Sequence, residues 1–168
     1  MWTPTKDTWI ISDTHFGHKN IVKYCNRPER HNEIMMNQWV DLVGDEDTVL
    51  HLGDVAVWYG DEEEKWQRIA GAMPGSKYLL RGNHDKIKDS EWANLGYTVI
   101  PEFIHEFDGV RVLFSHYPDT ERGHLWDINI HGHIHNNDYD AKYPSGRDYR
   151  NVSIEVMDYK PVRLGDIL

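Results

Sequence analysis

Five short apolar runs, each ending in a cluster of Asp, Asn or His, constrain the fold of this 168-residue chain more than any other feature. WIIS, VLHL, KYLLR, VRVLFS and DINI have the length and apolar character of buried strands. Because ligands in α/β sheets bind outside the carboxyl ends of the strands, the polar clusters are predicted to converge on one crevice. In chain order, the clusters are Asp13–His15, Gly53–Asp54, Gly82–Asp85, His116 and His131–His135.

The order of the predicted elements indicates an α/β fold in a single domain over residues 1–168. Strands are predicted over residues 8–12, 48–52, 77–80, 103–107, 110–115, 127–130, 151–156 and 162–164, and helices over residues 31–43, 62–72 and 90–95. The front half alternates strand and helix, whereas the back half is mostly strand, with a hairpin turn at Asp108-Gly109. This pattern favours a layered α/β sandwich over a plain doubly wound sheet.

The formal net charge of −10 limits the partners of the chain, since 18 basic residues face 28 acidic ones. Proteins that bind a phosphate backbone use clustered Lys and Arg, so extended nucleic-acid binding is disfavoured. The exclusion is partial, because bound cations would cancel some of the acidic charge. A small phosphoester, such as a nucleotide, is the expected partner. The sequence leaves open whether the chain forms homo-oligomers.

Several features of the sequence favour a cytoplasmic location. No stretch approaches the roughly 18 to 20 apolar residues of a membrane span, so no membrane partner is expected. The N-terminus lacks the basic start and apolar stretch of a signal peptide. Cys25 is the single cysteine, which excludes an internal disulfide framework and fits a reducing compartment.

The spacing and the types of the clustered residues suit metal ions. Asp13 and His15 lie two positions apart and share one side of an extended segment, so both can bind one ion. His133 and His135 have the same spacing and can reach adjacent ions. Oxygen and imidazole ligands without a thiolate suit Mn, Fe, Zn, Co or Ni better than Ca or Mg.

The motif order D-x-H, G-D, G-N-H-D, H and G-H-x-H resembles that of the calcineurin-like metallophosphoesterases. The run DTHFGHKNI, the short chain and the late RNV resemble the small single-domain bacterial and phage members of that superfamily. The resemblance extends from Asp13 to about Val152. It implies a four-layer αββα sandwich, in which two facing mixed β-sheets are flanked by helices and the site lies at one edge of the sheets.

The resemblance also implies a role for each clustered residue. The implied ligands are Asp13, His15 and His135 for a first divalent ion, Asn83, His116 and His133 for a second, and Asp54 as a bridge between them. His84 would be the acid near the leaving group, with Asp85 orienting it. The implied activity is hydrolysis of phosphodiesters by a hydroxide that two metal ions activate, with manganese as the first candidate metal.

Some residues near the motifs have two interpretations. His18 lies on a loop, where functional residues concentrate, and either contacts substrate or only shapes the loop. Arg81 either contacts phosphate or forms a structural ion pair, and Asn83 is a third candidate for substrate contact. Trp58 and Tyr59 either stack on a nucleobase or pack against the protein.

Other residues are weighed against the ligand set. His116 has the shortest motif, and a buried histidine that binds no metal is its alternative role. His131 either packs or supports a ligand, or else contacts substrate. Asp45 also follows a glycine, but GDED precedes a strand whereas Gly53-Asp54 follows one, so Asp45 is excluded. Cys25 has no local base that would make it a nucleophile.

Three alternative functions share these motifs. Nucleases of the superfamily carry DNA-gripping segments for which this chain has little room, and its net charge is unfavourable. A protein phosphatase would need a substrate-docking region, and none is visible. A noncatalytic scaffold with this fold is disfavoured by the complete ligand set and by His84. The sequence therefore favours hydrolysis of small phosphodiesters or cyclic nucleotides.

Overall fold

The computed structural model describes residues 2–57, 63–137 and 148–168. The strands are β1 (Trp9–Ile11), β2 (Thr48–His51), β3 (Ser76–Leu80), β4 (Tyr97–Ile100), β5 (Phe103–Phe107), β6 (Val110–Phe114), β7 (Ile128–His131), β8 (Asp148–Asn151) and β9 (Val162–Arg163). The α-helices are α1 (Ile21–Tyr24), α2 (His31–Leu42), α3 (Glu63–Ala72), α4 (Asp89–Asn94) and α5 (Leu164–Ile167), and Ile154–Met157 form a 3-10 helix. Among the described helices, none combines the length and the apolar character of a membrane-spanning segment.

The first sheet has the strand order β4-β3-β2-β1-β9. Its first four strands run parallel, because helices connect them, and β9 runs antiparallel to β1. Successive side chains of β1 point to opposite faces, so Trp9 and Ile11 pack with Trp39 of α2 while Ile10 joins the core between the sheets. The helices α2, α3 and α4 therefore cover one face of this sheet.

The second sheet has the order β5-β6-β7-β8, with β5 antiparallel to β6 and the other pairs parallel. The predicted hairpin between β5 and β6 is confirmed. Its turn residues Asp108 and Gly109 have φ of 50° and 87°, as a type I′ turn requires. Phe114 and Ile130 of this sheet pack against Ile10 and Leu50 of the first sheet, so the second core cluster lies between the two sheets.

The predicted class is confirmed, because two facing mixed sheets are flanked by helices. In the described part of the chain, the outer face of the second sheet is covered by the loop that leads to β7. Trp126 of this loop is fully buried, and its ring packs edge-on against Tyr149 at 5.2 Å. Asp119 accepts a hydrogen bond from Trp126 Nε1 at 2.8 Å and fixes the loop on Asn129 through its backbone amide.

The predicted strand over residues 151–156 is wrong beyond Asn151. The Ser153 N–H donates to Asn151 Oδ1 at 2.9 Å, which turns the chain into the 3-10 helix. The predicted loop before residue 30 contains the short helix α1. The predicted helix over residues 62–72 is described from Glu63, and Glu62 lies outside the described residues, as do Trp58 and Tyr59.

We expect Trp39→Ala to destabilise the protein by about 3–5 kcal/mol, because Trp39 is fully buried under the first sheet. The substitution also removes the hydrogen bond from Trp39 Nε1 to Pro74 O, at 3.1 Å. The neighbouring Val40 is 56% exposed, so Val40→Ala should change the stability by no more than about 0.5 kcal/mol. Urea denaturation measures both changes. Equal losses in the two variants would contradict this packing.

Candidate metal centre

The five polar clusters meet at one edge of the two sheets, as the sequence predicts. The clusters that contain Asp13, Asp54 and Asn83 follow β1, β2 and β3, which are neighbours in the first sheet. The clusters that contain His116 and His133 follow β6 and β7, which are neighbours in the second. The carboxyl ends of parallel neighbours lie at the same edge. The fold thereby brings residues that are 120 positions apart into contact, as His133 N donates to Asp13 Oδ2 at 2.8 Å.

Glycines permit this close approach of the loops. A Cβ at Gly82 would lie 2.2 Å from Asp54 Oδ1, and a Cβ at Gly132 would lie 2.2 Å from Asp13 Oδ2. Both distances are far below a van der Waals contact, so any side chain at these positions would displace a carboxylate. The glycines of the G-N-H-D and G-H-x-H motifs therefore serve the packing of the carboxylates, whereas a Cβ at Gly53 of the G-D motif would meet the Gly82 backbone and the His116 ring.

Five of the seven predicted ligands have a backbone in the left-handed region, which residues other than glycine seldom adopt. These are Asp13 (φ 59°), His15 (46°), Asp54 (58°), His133 (70°) and His135 (53°). The amides of Asp13 and His15 donate to Gly53 O and Asp54 O, both at 2.9 Å, and hold the conformation. Such strain costs about 1–3 kcal/mol per residue and concentrates at functional sites.

The candidate ligands fall into two groups. Within each group, all ligand atoms lie within 4.8 Å of one another. In the first group (Asp13, His15 and His135), His15 Nε2 and His135 Nε2 lie 3.8 and 3.9 Å from Asp13 Oδ1. The second group consists of Asp54, His116 and His133. Asn83 joins it, because Asn83 Oδ1 lies 3.2 Å from His116 Nε2.

Asp54 belongs to the second group and also lies beside the first. Its Oδ2 is 3.4 Å from His15 Nε2 and 3.5 Å from His116 Nε2. Both histidines and Asp54 are buried, so bulk water cannot solvate this carboxylate. The position is the one expected of a ligand shared by two ions, although that role stays a prediction.

The buried atoms of the first group suit a cation. Asp13 Oδ1 and His15 Nε2 have no hydrogen-bond partner among the described residues, and such orphaned polar atoms are rare in folded proteins. Burial lowers the pKa of His15 well below its usual value, which keeps the ring neutral and able to bind a metal. Burial lowers the pKa of His135 in the same group, but its hydrogen bonds with Cys25 and Glu155 and the charge of Asp13 outweigh burial and raise it to about 10, so a bound cation would take the place of that proton. A carboxylate beside two imidazoles fits a divalent transition metal ion.

The protonation of His116 differs from that of His15. Burial disfavours its charged form, but the hydrogen bond and charge of Asp54 more than offset this effect, so the pKa of His116 is raised. A divalent cation in the second group would take the place of that proton, since a metal ligand must be neutral imidazole.

Sequence reasoning missed a second layer formed by Arg27 and Glu155. His135 Nδ1 lies 2.9 Å from Glu155 Oε1, which in turn accepts from Arg27 Nε at 2.7 Å. The Arg27 guanidinium also donates to Asp13 O at 2.6 Å and to Thr14 O at 2.8 Å. A carboxylate behind a metal-binding histidine fixes its tautomer and orientation. No spacing signal links these residues, and Glu155 falls in the segment predicted as strand.

We expect Glu155→Ala to weaken metal binding at the first group by about 10- to 100-fold. Glu155→Gln should recover part of the loss, since its amide oxygen still accepts from His135. Competition against a chelator of known affinity measures the change. Glu33→Gln, on the exposed surface of α2, is the control. Unfolding midpoints are recorded in parallel, because Arg27 also loses its buried partner. Equal affinity in wild type and Glu155→Ala would rule out this positioning role.

The G-N-H-D residues His84 and Asp85 are placed differently from each other. His84 is half-buried, and the centre of its ring lies 5.2 Å from that of the His15 ring. The backbone N–H of His84 donates to Asp54 Oδ1 at 2.8 Å. No hydrogen bond joins Asp85 to the His84 ring in the described part of the chain, so the predicted orienting role gains no support from this geometry. The Asp85 carboxylate accepts from the amides of Asp54 (2.7 Å), Val55 (3.0 Å) and Gly82 (2.8 Å).

This arrangement has a physical reason. Asp85 is buried, and burial raises its pKa to about 6, while three backbone amides stabilise its charged form. The carboxylate thereby ties the loop after β2 to the loop after β3. Asp85 shapes the backbone that carries Asp54.

The predicted substrate contacts have mixed outcomes. The ring of His18 lies 5.5 Å from that of His15 and 6.3 Å from that of His84, so it borders the site. Arg81 forms the structural ion pair, with Asp89, and donates to Asp85 O at 2.7 Å. Asn83 is exposed beside the second group. Their contact with substrate stays a prediction.

His131 and Cys25 both have a packing role. Of the two, the sequence left this role open for His131 alone. His131 is buried, and its Nδ1 lies 3.0 Å from Gly132 O, which fits packing behind the site. Cys25 is buried beside His135 and Glu155, and these three form a further set of close ligand atoms. The charge of Arg27 on Glu155 makes that third set unfavourable for a cation.

Comparisons with known proteins agree with this geometry. The family model for calcineurin-like phosphoesterases matches residues 7–161. The protein MJ1445 of Methanocaldococcus jannaschii is 37% identical over 164 residues, which cover 93% of this chain and 86% of that protein. The Gene 66 protein of Mycobacterium phage L5 is 28% identical over 160 residues, covering 77% of each.

Two solved structures share the fold. The protein AQ665 of Aquifex aeolicus superposes with a TM-score of 0.74 at 32% identity, over 95% of this chain and 96% of that one. The nuclease MPE of Pseudomonas putida has a TM-score of 0.52 at 19% identity, over 79% and 63%, which is a likeness of fold alone. The motifs, the fold and the matched family model agree. The chain belongs to the calcineurin-like phosphoesterase family.

Proposed function

We propose that the protein is a metal-dependent phosphodiesterase that hydrolyses small phosphodiesters, including nucleotide derivatives and cyclic nucleotides. Two divalent transition metal ions serve the reaction, with Mn²⁺ as the first candidate. The observation that carries the proposal is the pair of adjacent ligand groups on the two sides of Asp54. The first group would hold one ion, the second group with Asn83 would hold the other, and Asp54 would be a ligand of both.

The charge that divalent ions would bring to these ligand groups suits a phosphate substrate. Divalent cations held there would neutralise phosphate charge and lower the pKa of water towards about 7, which makes it a nucleophile at neutral pH. Phosphoryl transfer needs such charge neutralisation and placement more than covalent help from side chains. The net charge of the chain, −10, does not suit a long nucleic acid, which favours a small diester.

His84 supplies the proton for the leaving oxygen. Its backbone amide is fixed on Asp54 Oδ1 at 2.8 Å, which holds the residue next to the ligands. The residue is half-buried, and the hydrogen bond that it makes to a side chain among the described residues uses its backbone amide, so the ring nitrogens are available to a substrate. A positioned acid of this kind contributes about 10²- to 10⁴-fold to the rate.

The proposal is tested with protein stripped by a chelator and then reloaded with Mn²⁺. Both forms are assayed with bis(p-nitrophenyl) phosphate, p-nitrophenyl phosphate, 2′,3′- and 3′,5′-cyclic nucleotides, and DNA and RNA oligonucleotides. We expect the stripped protein to be inactive and the reloaded protein to turn over diesters faster than the monoester or the oligonucleotides. Preference for oligonucleotides would identify a nuclease. No hydrolysis by protein that retains both ions would identify a noncatalytic scaffold.

A further inference from the structure

A cleft of about 410 Å³ opens beside the second ligand group. Its floor is apolar and comes from the end of β4 and the segment after it, where Val99, Ile100 and Pro101 line it. Arg81 forms one wall, and Tyr117 with His116 forms the side next to the metal centre. The cleft is therefore continuous with the proposed catalytic site and large enough for more than a phosphate.

Tyr117 is the side chain in this cleft that is best placed to contact a substrate. It is an aromatic residue with 50% of its surface exposed, although its ring lies only 4.3 Å from that of His133. Its hydroxyl donates to Asn83 Oδ1 at 3.3 Å, which anchors the ring while half of the residue's surface stays exposed. An exposed and anchored aromatic face is a stacking surface for planar groups, including nucleobases.

The cleft and His84 lie on opposite sides of Asp54. The His84 ring is next to His15, which belongs to the first group, at 5.2 Å. The Tyr117 ring is next to His116, which belongs to the second group, at 5.0 Å. If His84 protonates the leaving oxygen, the leaving group faces the first group and His18. The substituent in the cleft must then be the ester group that stays on phosphorus.

The charges around the cleft exclude a second phosphate there. Arg81 is already paired with Asp89 and bonded to Asp85 O, so its positive charge is compensated. The carboxylates of Asp89 and Glu102, which also line the cleft, are paired in turn with Arg81 and Arg122. A neutral ring with polar edges suits this mixture of an apolar floor and paired charges, whereas an anion would find no uncompensated positive charge.

We propose that this cleft is a binding site for the retained ester group and that the group is a nucleoside, whose base stacks on Tyr117. The inference rests on the proposed phosphodiesterase function and names its substrate class. Hydrolysis then adds water across one P–O bond. The hydroxyl goes to phosphorus, the hydrogen goes to the leaving oxygen, and a nucleoside monophosphate remains in the site.

Two diesters with the same leaving group test the proposal. Thymidine 5′-(p-nitrophenyl phosphate) retains a nucleoside, and ethyl p-nitrophenyl phosphate retains two carbons. Base stacking contributes about 1–3 kcal/mol, so the ratio of kcat/KM for the two esters should favour the thymidine ester by about 5- to 150-fold. The ratio cancels effects that act on both esters equally, such as a disturbance of Asn83.

Variants locate the preference in the cleft. Tyr117→Ala and Ile100→Trp, which fills the floor, should bring the ratio close to one. Tyr117→Phe retains the ring and should keep most of the preference. Val40→Ala, on the exposed surface of α2, should keep the wild-type ratio. Titration calorimetry of thymidine monophosphate and ethyl phosphate with the metal-loaded protein should show the same order of affinities without any turnover.

A ratio near one in the wild type, or a preference that survives both Tyr117→Ala and Ile100→Trp, overturns the nucleoside site while the proposed function stands. Failure of the proposed function has a different result, in which neither ester is hydrolysed. The calorimetric comparison then decides alone, and equal affinities for the two monoesters overturn the site.

Discussion

Replacing Asp54 by asparagine is expected to lower the turnover of a small diester by about 10³-fold and to release at least one metal ion. The carboxylate touches both ligand groups, so its loss affects both ions. Metal ions stabilise transition-state charge by several kcal/mol, and each 1.4 kcal/mol corresponds to about tenfold in rate. Metal analysis after dialysis and kcat/KM with bis(p-nitrophenyl) phosphate measure the two effects.

Asparagine is the primary substitution because residue 54 has φ of 58°, a conformation that Asn tolerates better than Ala. Asp54→Ala should show at least the same loss. Asp45→Ala is the matched control, since Asp45 also follows a glycine but lies exposed before β2. Circular dichroism confirms the fold of each variant. An Asp54→Asn or Asp54→Ala protein with two tightly bound ions and full activity would overturn the assignment of the site.

Replacing His84 by alanine is expected to lower kcat by about 10²- to 10⁴-fold while leaving the metal content nearly unchanged. His84 belongs to neither ligand group, and its contact with Asp54 is made by the backbone amide, which the substitution preserves. The loss should depend on the leaving group. An ester that expels p-nitrophenolate needs little proton donation and should suffer less than one that expels a ribose alkoxide.

His124→Ala is the control for this experiment, because His124 is exposed on the loop before β7. His84→Asn removes the acid but keeps a polar side chain, and it should lose activity in the same order of leaving groups. If His84→Ala slowed both esters equally and also released a metal ion, His84 would be a ligand. The roles proposed for the residues at the ends of β3 and β6 would then have to be reassigned.

Strong local patterns made much of the fold predictable from the sequence. Trp9–Ile11 are all apolar, Thr48–His51 have the apolar Val49 and Leu50 at their centre, and a candidate ligand follows each strand within three residues, so both the strand and its place in the site are encoded locally. The hairpin turn depends on Asp108-Gly109, two residues that accept positive φ. The convergence of the motifs follows from the parallel strands and needed no further information.

Residues whose roles depend on contacts between distant segments were not predictable. Glu155 lies 20 positions from His135 and 128 positions from Arg27, and it meets both only because the chain turns into a 3-10 helix at Ser153. Asp85 sits beside His84 in the sequence, which suggested a contact between them. Its burial, however, required backbone donors, and the amides of Asp54 and Gly82 supply them.

The decisive measurement is a titration of the stripped protein with Mn²⁺ in which turnover of bis(p-nitrophenyl) phosphate is followed at each addition. Two adjacent ligand groups that share Asp54 predict no turnover without metal, little with one equivalent, and a plateau at two equivalents per chain. A plateau at one equivalent would contradict a dinuclear centre. Turnover that is independent of added metal, or absent at every concentration, would contradict metal-dependent phosphoester hydrolysis at this site.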